Sequence, residues 1–215
     1  MIEGSVVHPG VDHRWRRLNL TANPMSALGL ADQTRVAIVD PAPLLAALRR
    51  VRGAVEIIGP RGRGKTTLAL TLADRLRRDG ADVSYHYCPP DGPVPPIVDA
   101  GWIVVDEIER LPRSVRRELF AGDRRLVWTT HRSFRRAASR HGREVTCHRM
   151  PEHADPARLA EIVRRRIEHH RWGDGPLPRT ESAELIRLST EARGDVRAVL
   201  DHLYDRFESW SNIAR

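Results

Sequence analysis

Of the 36 basic side chains in this 215-residue chain, one alone is a lysine. Lys65 closes the run Gly59-Pro60-Arg61-Gly62-Arg63-Gly64-Lys65-Thr66, which fits G-x-x-x-x-G-K-[ST] at every defined position. Glycines at that spacing let backbone N–H groups curl round a phosphate chain, and a helix starting at the loop's end adds its positive pole. A lysine there is a compact charge on a flexible stem, a role that a planar guanidinium does not fill. Its survival in a chain that uses arginine everywhere else marks the position as chemical rather than compositional. The Thr66 hydroxyl is suited to Mg2+, and Thr67 extends the phosphate-facing segment into the helix.

Carboxylates form the second half of the pattern. The apolar run Trp102-Ile103-Val104-Val105 ends in Asp106-Glu107. An acid closing such a strand downstream of a phosphate loop supports Mg2+. A glutamate directly after it can orient and deprotonate an attacking water.

The elements around these residues alternate. Strands are expected at Arg35–Asp40, Ala54–Ile58, Asp82–Cys88, Trp102–Val105, Arg125–Thr130 and Glu144–Met150. Helices are expected at Pro41–Val51, Thr66–Arg78, Leu111–Ala121 and Ser133–His141. Such alternation predicts an α/β fold, a parallel sheet flanked by helices, with ligands at the C-terminal strand ends. From Pro151 onward only helices are expected. One starts at Asp155-Pro156 with Leu159, Ile162, Val163 and Ile167 inward. A second spans Glu181–Ala192 with Leu185, Ile186 and Leu188 inward. A third is capped by Gly194-Asp195. The chain is thus divided into an N-terminal segment (1–34), a phosphate-loop α/β domain (35–150) and a three-helix lid (151–215).

With these motifs in place, the chain resembles the AAA+ ATPases of the P-loop superfamily, over roughly Asn23 to Phe207. The resemblance implies ATP and Mg2+ as ligands, with the loop Gly59–Thr67 on the phosphates. It implies a polar "sensor 1" at the end of the strand after the acidic one, at Thr129, Thr130 or His131, with Thr130 taken as the catalytic candidate. It implies a "sensor 2" arginine at Arg197, in Gly194-Asp195-Val196-Arg197. Helical geometry sets that residue about 80–100° from the centre of its helix's apolar stripe. An arginine finger acting on a neighbouring subunit falls at Arg140 or Arg143, so a homo-oligomer is implied. Asn23-Pro24 resembles the segment that lies over the adenine. In one respect the chain departs from the family: Pro89–Ala100 holds five prolines where a crossover helix is usual. That favours a minimal switch or loader over a pore-loop unfoldase.

Other classes lack their marks. A guanine reader of the Asn-Lys-x-Asp type needs a second lysine, and the Leu-Ser-Gly-Gly-Gln signature of ABC ATPases is missing. A P-loop kinase remains an alternative, as does an ATP-dependent protein-recruitment module that does not hydrolyse. The apolar runs are strand-sized, so no membrane partner is expected, and two cysteines with no secretory signal point to the cytoplasm. A net charge of +8 invites a DNA or RNA partner. Arg14-Trp15-Arg16-Arg17 is the cluster of interest, since Trp15 has no evident core to join. Cys88 and Cys147 with their neighbouring histidines match no zinc spacing.

Overall fold

The computed structural model describes residues 13–48, 53–152 and 155–213. They form two compact units. One runs from Gly29 through the last strand, and the other joins the residues up to Leu28 with those from Asp155 onward. Helix α1 (His13–Arg16) therefore belongs with the C-terminal helices.

The first unit contains α2 (Leu30–Val36), α3 (Ala42–Leu48), β1 (Gly53–Ile58), α4 (Lys65–Arg78), β2 (Val83–Tyr87), β3 (Trp102–Asp106), α5 (Arg113–Ala121), β4 (Arg125–Thr130), α6 (Arg135–Ser139) and β5 (Glu144–Arg149). The five strands make one parallel sheet in the order β2-β3-β4-β1-β5. Successive strand residues face opposite sides. Val55, Ile57, Val104 and Val127 pack against Leu68, Leu72 and Leu76 of α4 and Leu44 and Leu48 of α3. Ala54, Ile103, Val105, Leu126 and Trp128 pack on the other side with Phe120 of α5 and Ala138 of α6. Because both faces are covered, the strands read as continuous apolar runs.

One expected strand is not in the sheet. Arg35 and Val36 end α2, and residues 37–41 have no regular structure. Asp40 instead accepts a hydrogen bond from the Ala42 N–H (2.9 Å), starting α3. Among the described residues the sheet therefore has five strands rather than six. The β2–β3 connection contains no helix, as its prolines require. No helix among the described residues is long and apolar enough to cross a membrane.

The second unit packs α7 (Pro156–His169), α8 (Ser182–Glu191) and α9 (Val196–Ile213) around Leu159, Val163, Ile167, Leu185, Leu188, Val199, Leu203 and Phe207. Asp155 caps α7 through the Ala157 N–H (3.0 Å), and Asp195 caps α9 through the Arg197 N–H (2.9 Å). Trp15 is buried in this core, so the aromatic in its arginine cluster is a packing residue and not a free stacking platform. Ile186, expected inward, is half exposed at 50%. The sequence sets residues 1–34 apart, whereas those from 13 to 28 are fastened to the helices. The Asn23 side chain donates to Tyr204 O (3.0 Å) and Glu208 (3.0 Å), and buried Arg166 donates to the carbonyls of Pro24 and Ser26.

Candidate functional site

The glycine loop is tied down on both sides as it leaves β1. Met150 N–H donates to Ile58 O (2.8 Å), and Gly59 N–H donates to Thr130 O (3.3 Å). A Cβ at Gly59 would stand 2.7 Å from Met150 Cβ, so only glycine fits this approach. Gly62 and Gly64 take φ of +68° and +85°, left-handed values that favour glycine. With the loop so curled, α4 begins at Lys65, and Thr66 and Thr67 sit half-buried in its first turn. Lys65 is 5% exposed, and its ammonium donates to Gly59 O (2.9 Å) and Pro60 O (3.0 Å). Burial lowers its pKa from the ordinary value, while the charges of Glu107, Glu109 and Asp106 oppose that shift.

The topology brings the acids to the lysine. Strand β4 lies between the loop-bearing β1 and the acid-bearing β3, so its last residues stand between the two motifs. Asp106 is fully buried with both carboxylate oxygens engaged: the Thr129 hydroxyl donates to one and the Tyr85 hydroxyl to the other (3.0 Å). Burial and the Asp106 charge push the Tyr85 phenol far above its ordinary pKa, so it remains a donor. The Thr129 oxygen also accepts from the Glu107 N–H (2.8 Å), so one hydroxyl orders both acidic residues.

Glu107 adopts φ +66°, ψ +51°, a left-handed backbone that a non-glycine residue holds at a cost of about 1–3 kcal/mol. Its carboxylate lies 3.2 Å from Arg110 and 3.4 Å from His131 Nε2. The other ring nitrogen of His131 is 3.4 Å from the Lys65 ammonium, and its backbone N–H donates to Glu109 (2.8 Å). Glu107, Glu109 and His131 each present one ligand atom within 4.8 Å of the others, with Lys65 supplying positive charge beside them. The arrangement sets a curled glycine loop and a buried ammonium beside a cluster of carboxylates and an imidazole.

Behind the loop, the carboxylate of Glu56 is buried in β1. It accepts from Trp128 Nε1 (3.2 Å), the Ser133 hydroxyl (2.7 Å) and the Phe134 N–H (2.6 Å). These bonds fix the β4–α6 turn that carries His131.

The sequence candidates divide on inspection. Lys65 lies close enough to Asp106 and Glu107 to feel their charges, and Thr66 and Thr67 follow it on α4. Pro60 and Arg61 are exposed, and Arg63 is half-buried. Thr130 is buried at the end of β4. Its hydroxyl donates to Arg132 O (2.7 Å) within its own turn, and His131 is the β4-end residue that reaches Lys65 and Glu107. Arg143 lies just before β5. It is 4% exposed and its guanidinium donates to the carbonyls of Leu119, Phe120, Gly122 and Arg124, at 2.6–2.9 Å, capping the end of α5. Arg140 is exposed at the end of α6, and Arg197 is exposed in the first turn of α9. Sequence reasoning missed Tyr85, Arg110 and Glu56. Only Glu56 left a signal, a charge in the middle of an apolar strand.

No protein-family model and no curated protein matches the sequence. Solved structures do match in shape. Cdc6p from Pyrobaculum aerophilum superposes with a TM-score of 0.56 at 15% identity, over 98% of this chain and 65% of that one. RuvB from Thermotoga maritima gives 0.53 at 21% identity, over 83% and 62%. The replication initiator DnaA, bound to AMPPCP and single-stranded DNA, gives 0.53 at 13% identity, over 81% and 64%. This chain has the AAA+ P-loop ATPase fold. It spans slightly under two thirds of the length of the AAA+ structures it matches. In the sheet the glycine loop, Asp106-Glu107 and the His131 turn all leave the C-terminal ends of neighbouring strands, where α/β sheets bind ligands.

Proposed function

We propose that this protein binds ATP with Mg2+ and hydrolyses it to ADP and phosphate, acting as a homo-oligomeric switch or loader whose client is DNA or RNA. The observation that carries the reading is the meeting of Lys65, His131 and Glu107 within hydrogen-bonding or ion-pairing reach, beside the buried Asp106. In this reading the loop Gly59–Thr67 and Lys65 hold the phosphates, while Thr66 and Asp106 hold Mg2+. Glu107 takes a proton from the attacking water, and His131 takes the sensor position at the end of β4. Arg140 is the arginine that serves a neighbouring subunit. A cytoplasmic setting fits the two unpaired cysteines.

The test is a pair of substitutions. Lys65→Ala should abolish the thermal shift given by ATP with Mg2+. Glu107→Gln should keep that shift and lose turnover by about 10²–10⁴-fold. A wild-type protein with no ATP-dependent shift would end the proposal.

A second reading, an ATP-dependent module that recruits a protein and does not hydrolyse, is favoured by one observation. Glu107 is held by Arg110 and His131 on a left-handed backbone. Under it, Glu107→Gln leaves an already negligible rate unchanged.

A further inference from the structure

The arginines of this chain are not evenly placed. Between Arg110 and Arg149 there are 12 arginines against Glu118, Asp123 and Glu144. That stretch therefore carries nine net positive charges, more than the whole chain's +8. The rest of the molecule is close to neutral.

The structure also separates paired arginines from unpaired ones. On α4, Arg75 and Arg78 pair with Asp79 and Asp74. On α7, Arg164 and Arg165 share Glu161, and on α8 Arg187 pairs with Glu191. By contrast Arg113 and Arg117 of α5, Arg132 of the following turn, and Arg135, Arg136 and Arg140 of α6 and its end are all exposed. None of these six meets a carboxylate among the described residues. Two of them, Arg113 and Arg132, crowd Arg116 instead. Arg116 and Arg132 both stack on the Phe134 ring, at 5.0 and 5.3 Å. Burial, and then the charges of Arg132 and Arg113, lower the Arg116 pKa. Like charges held together without counter-charges are stabilised by an anion from outside the fold.

The face has no apolar centre. The exposed large hydrophobic side chains are Leu30, Tyr87, Val94, Val98, Ile186, Tyr204 and Ile213, and none lies on α5, α6 or the turn between β4 and α6. A protein interface has a desolvated apolar core and a membrane-binding helix an apolar face. Guanidiniums alone, with their planar forks, suit phosphate oxygens. A second copy of this chain offers no matching acidic surplus, because the remainder carries about one net negative charge.

We propose that the α5–α6 face of the sheet unit binds the phosphate backbone of a nucleic acid, without reading its sequence. This rests on the function proposed above only for its choice of client, and ATP turnover measured without nucleic acid tests that function separately.

The test is binding of labelled duplex DNA, single-stranded DNA and RNA by the full chain across a salt series. The variant is Arg113→Ala/Arg117→Ala/Arg135→Ala/Arg136→Ala. For duplex DNA the slope of log K against log salt should fall by about 0.9 for each phosphate contact removed, and affinity near 0.1 M salt should drop on the order of 100-fold or more. The control Arg75→Ala/Arg78→Ala removes two paired arginines and should bind within about twofold of wild type. If the fourfold variant does not fold, Arg113→Ala/Arg117→Ala alone should give about half the change in slope. The single-strand and RNA arms identify which backbone the face prefers. Unchanged affinity and slope in the α5–α6 variants would overturn the proposal. So would displacement of the DNA by polyglutamate as effective as displacement by unlabelled duplex, which would assign the face to an acidic protein.

Discussion

Replacing Arg143 by alanine should unfold the corner between α5 and β4, not remove a catalytic group. Four carbonyls, of Leu119, Phe120, Gly122 and Arg124, accept from this one guanidinium. A hydrogen bond from a charged donor contributes about 1.5–3 kcal/mol, and an acceptor left buried without a partner costs its full desolvation. Gly122 and Arg124 are exposed and can turn to water, whereas Phe120 is buried and Leu119 half-buried. Counting only those two gives a loss of about 3–6 kcal/mol, overlapping the cost of breaking a buried charged pair. For a chain of this size that is a fall in melting temperature of about 6–24 °C. Thermal unfolding followed by circular dichroism reads it directly. Arg140→Ala should melt within about 1–2 °C of wild type and, as a finger acting in trans, lose about 10³-fold or more in turnover. The reasoning is refuted if Arg143→Ala melts like wild type yet loses turnover that a Lys65→Ala partner subunit restores.

Three other outcomes follow from the same structure. Gly59→Ala should destabilise by about 1–3 kcal/mol, because its Cβ meets Met150 Cβ at 2.7 Å and both backbones must part; urea unfolding measures it. Glu56→Leu should cost about 3 kcal/mol by leaving Trp128 Nε1 and the Phe134 N–H without their acceptor, with Glu56→Gln losing less in the same assay. His86 is buried, and that burial lowers its pKa from 6.5. The unfolded chain then binds more protons just below pH 6.5, so stability falls as pH drops through that region, and His86→Gln should flatten the fall in melts taken from pH 7 to 5.

The sheet was legible because its strands, buried on both faces, are short apolar runs separated by amphipathic helices. The glycine loop and Asp106-Glu107 were legible because their chemistry is local in sequence. What stayed hidden was non-local. Arg35–Asp40 has the apolar pattern of a strand, yet the Asp40 side chain starts a helix there. Trp15 looked unplaced because its core is built by helices more than 140 residues later. Thr130 and His131 are neighbours at a strand end, and only the turn held by Glu56 decides which reaches Lys65. Arg143 could not be told from other arginines without the four carbonyls around it. Even the apparent uniformity of arginine was misleading, since pairing with carboxylates is a property of space.

Strand β1 has a mechanical consequence. Its end delivers the glycine loop, while the Glu56 carboxylate on its reverse side grips the turn that carries His131. The strand is thus a rigid link between the element that would feel a phosphate arrive and the residue that touches Glu107. A small translation of β1 cannot leave that turn behind, so loop and histidine move as one piece, and the bond to Trp128 extends the linkage to β4.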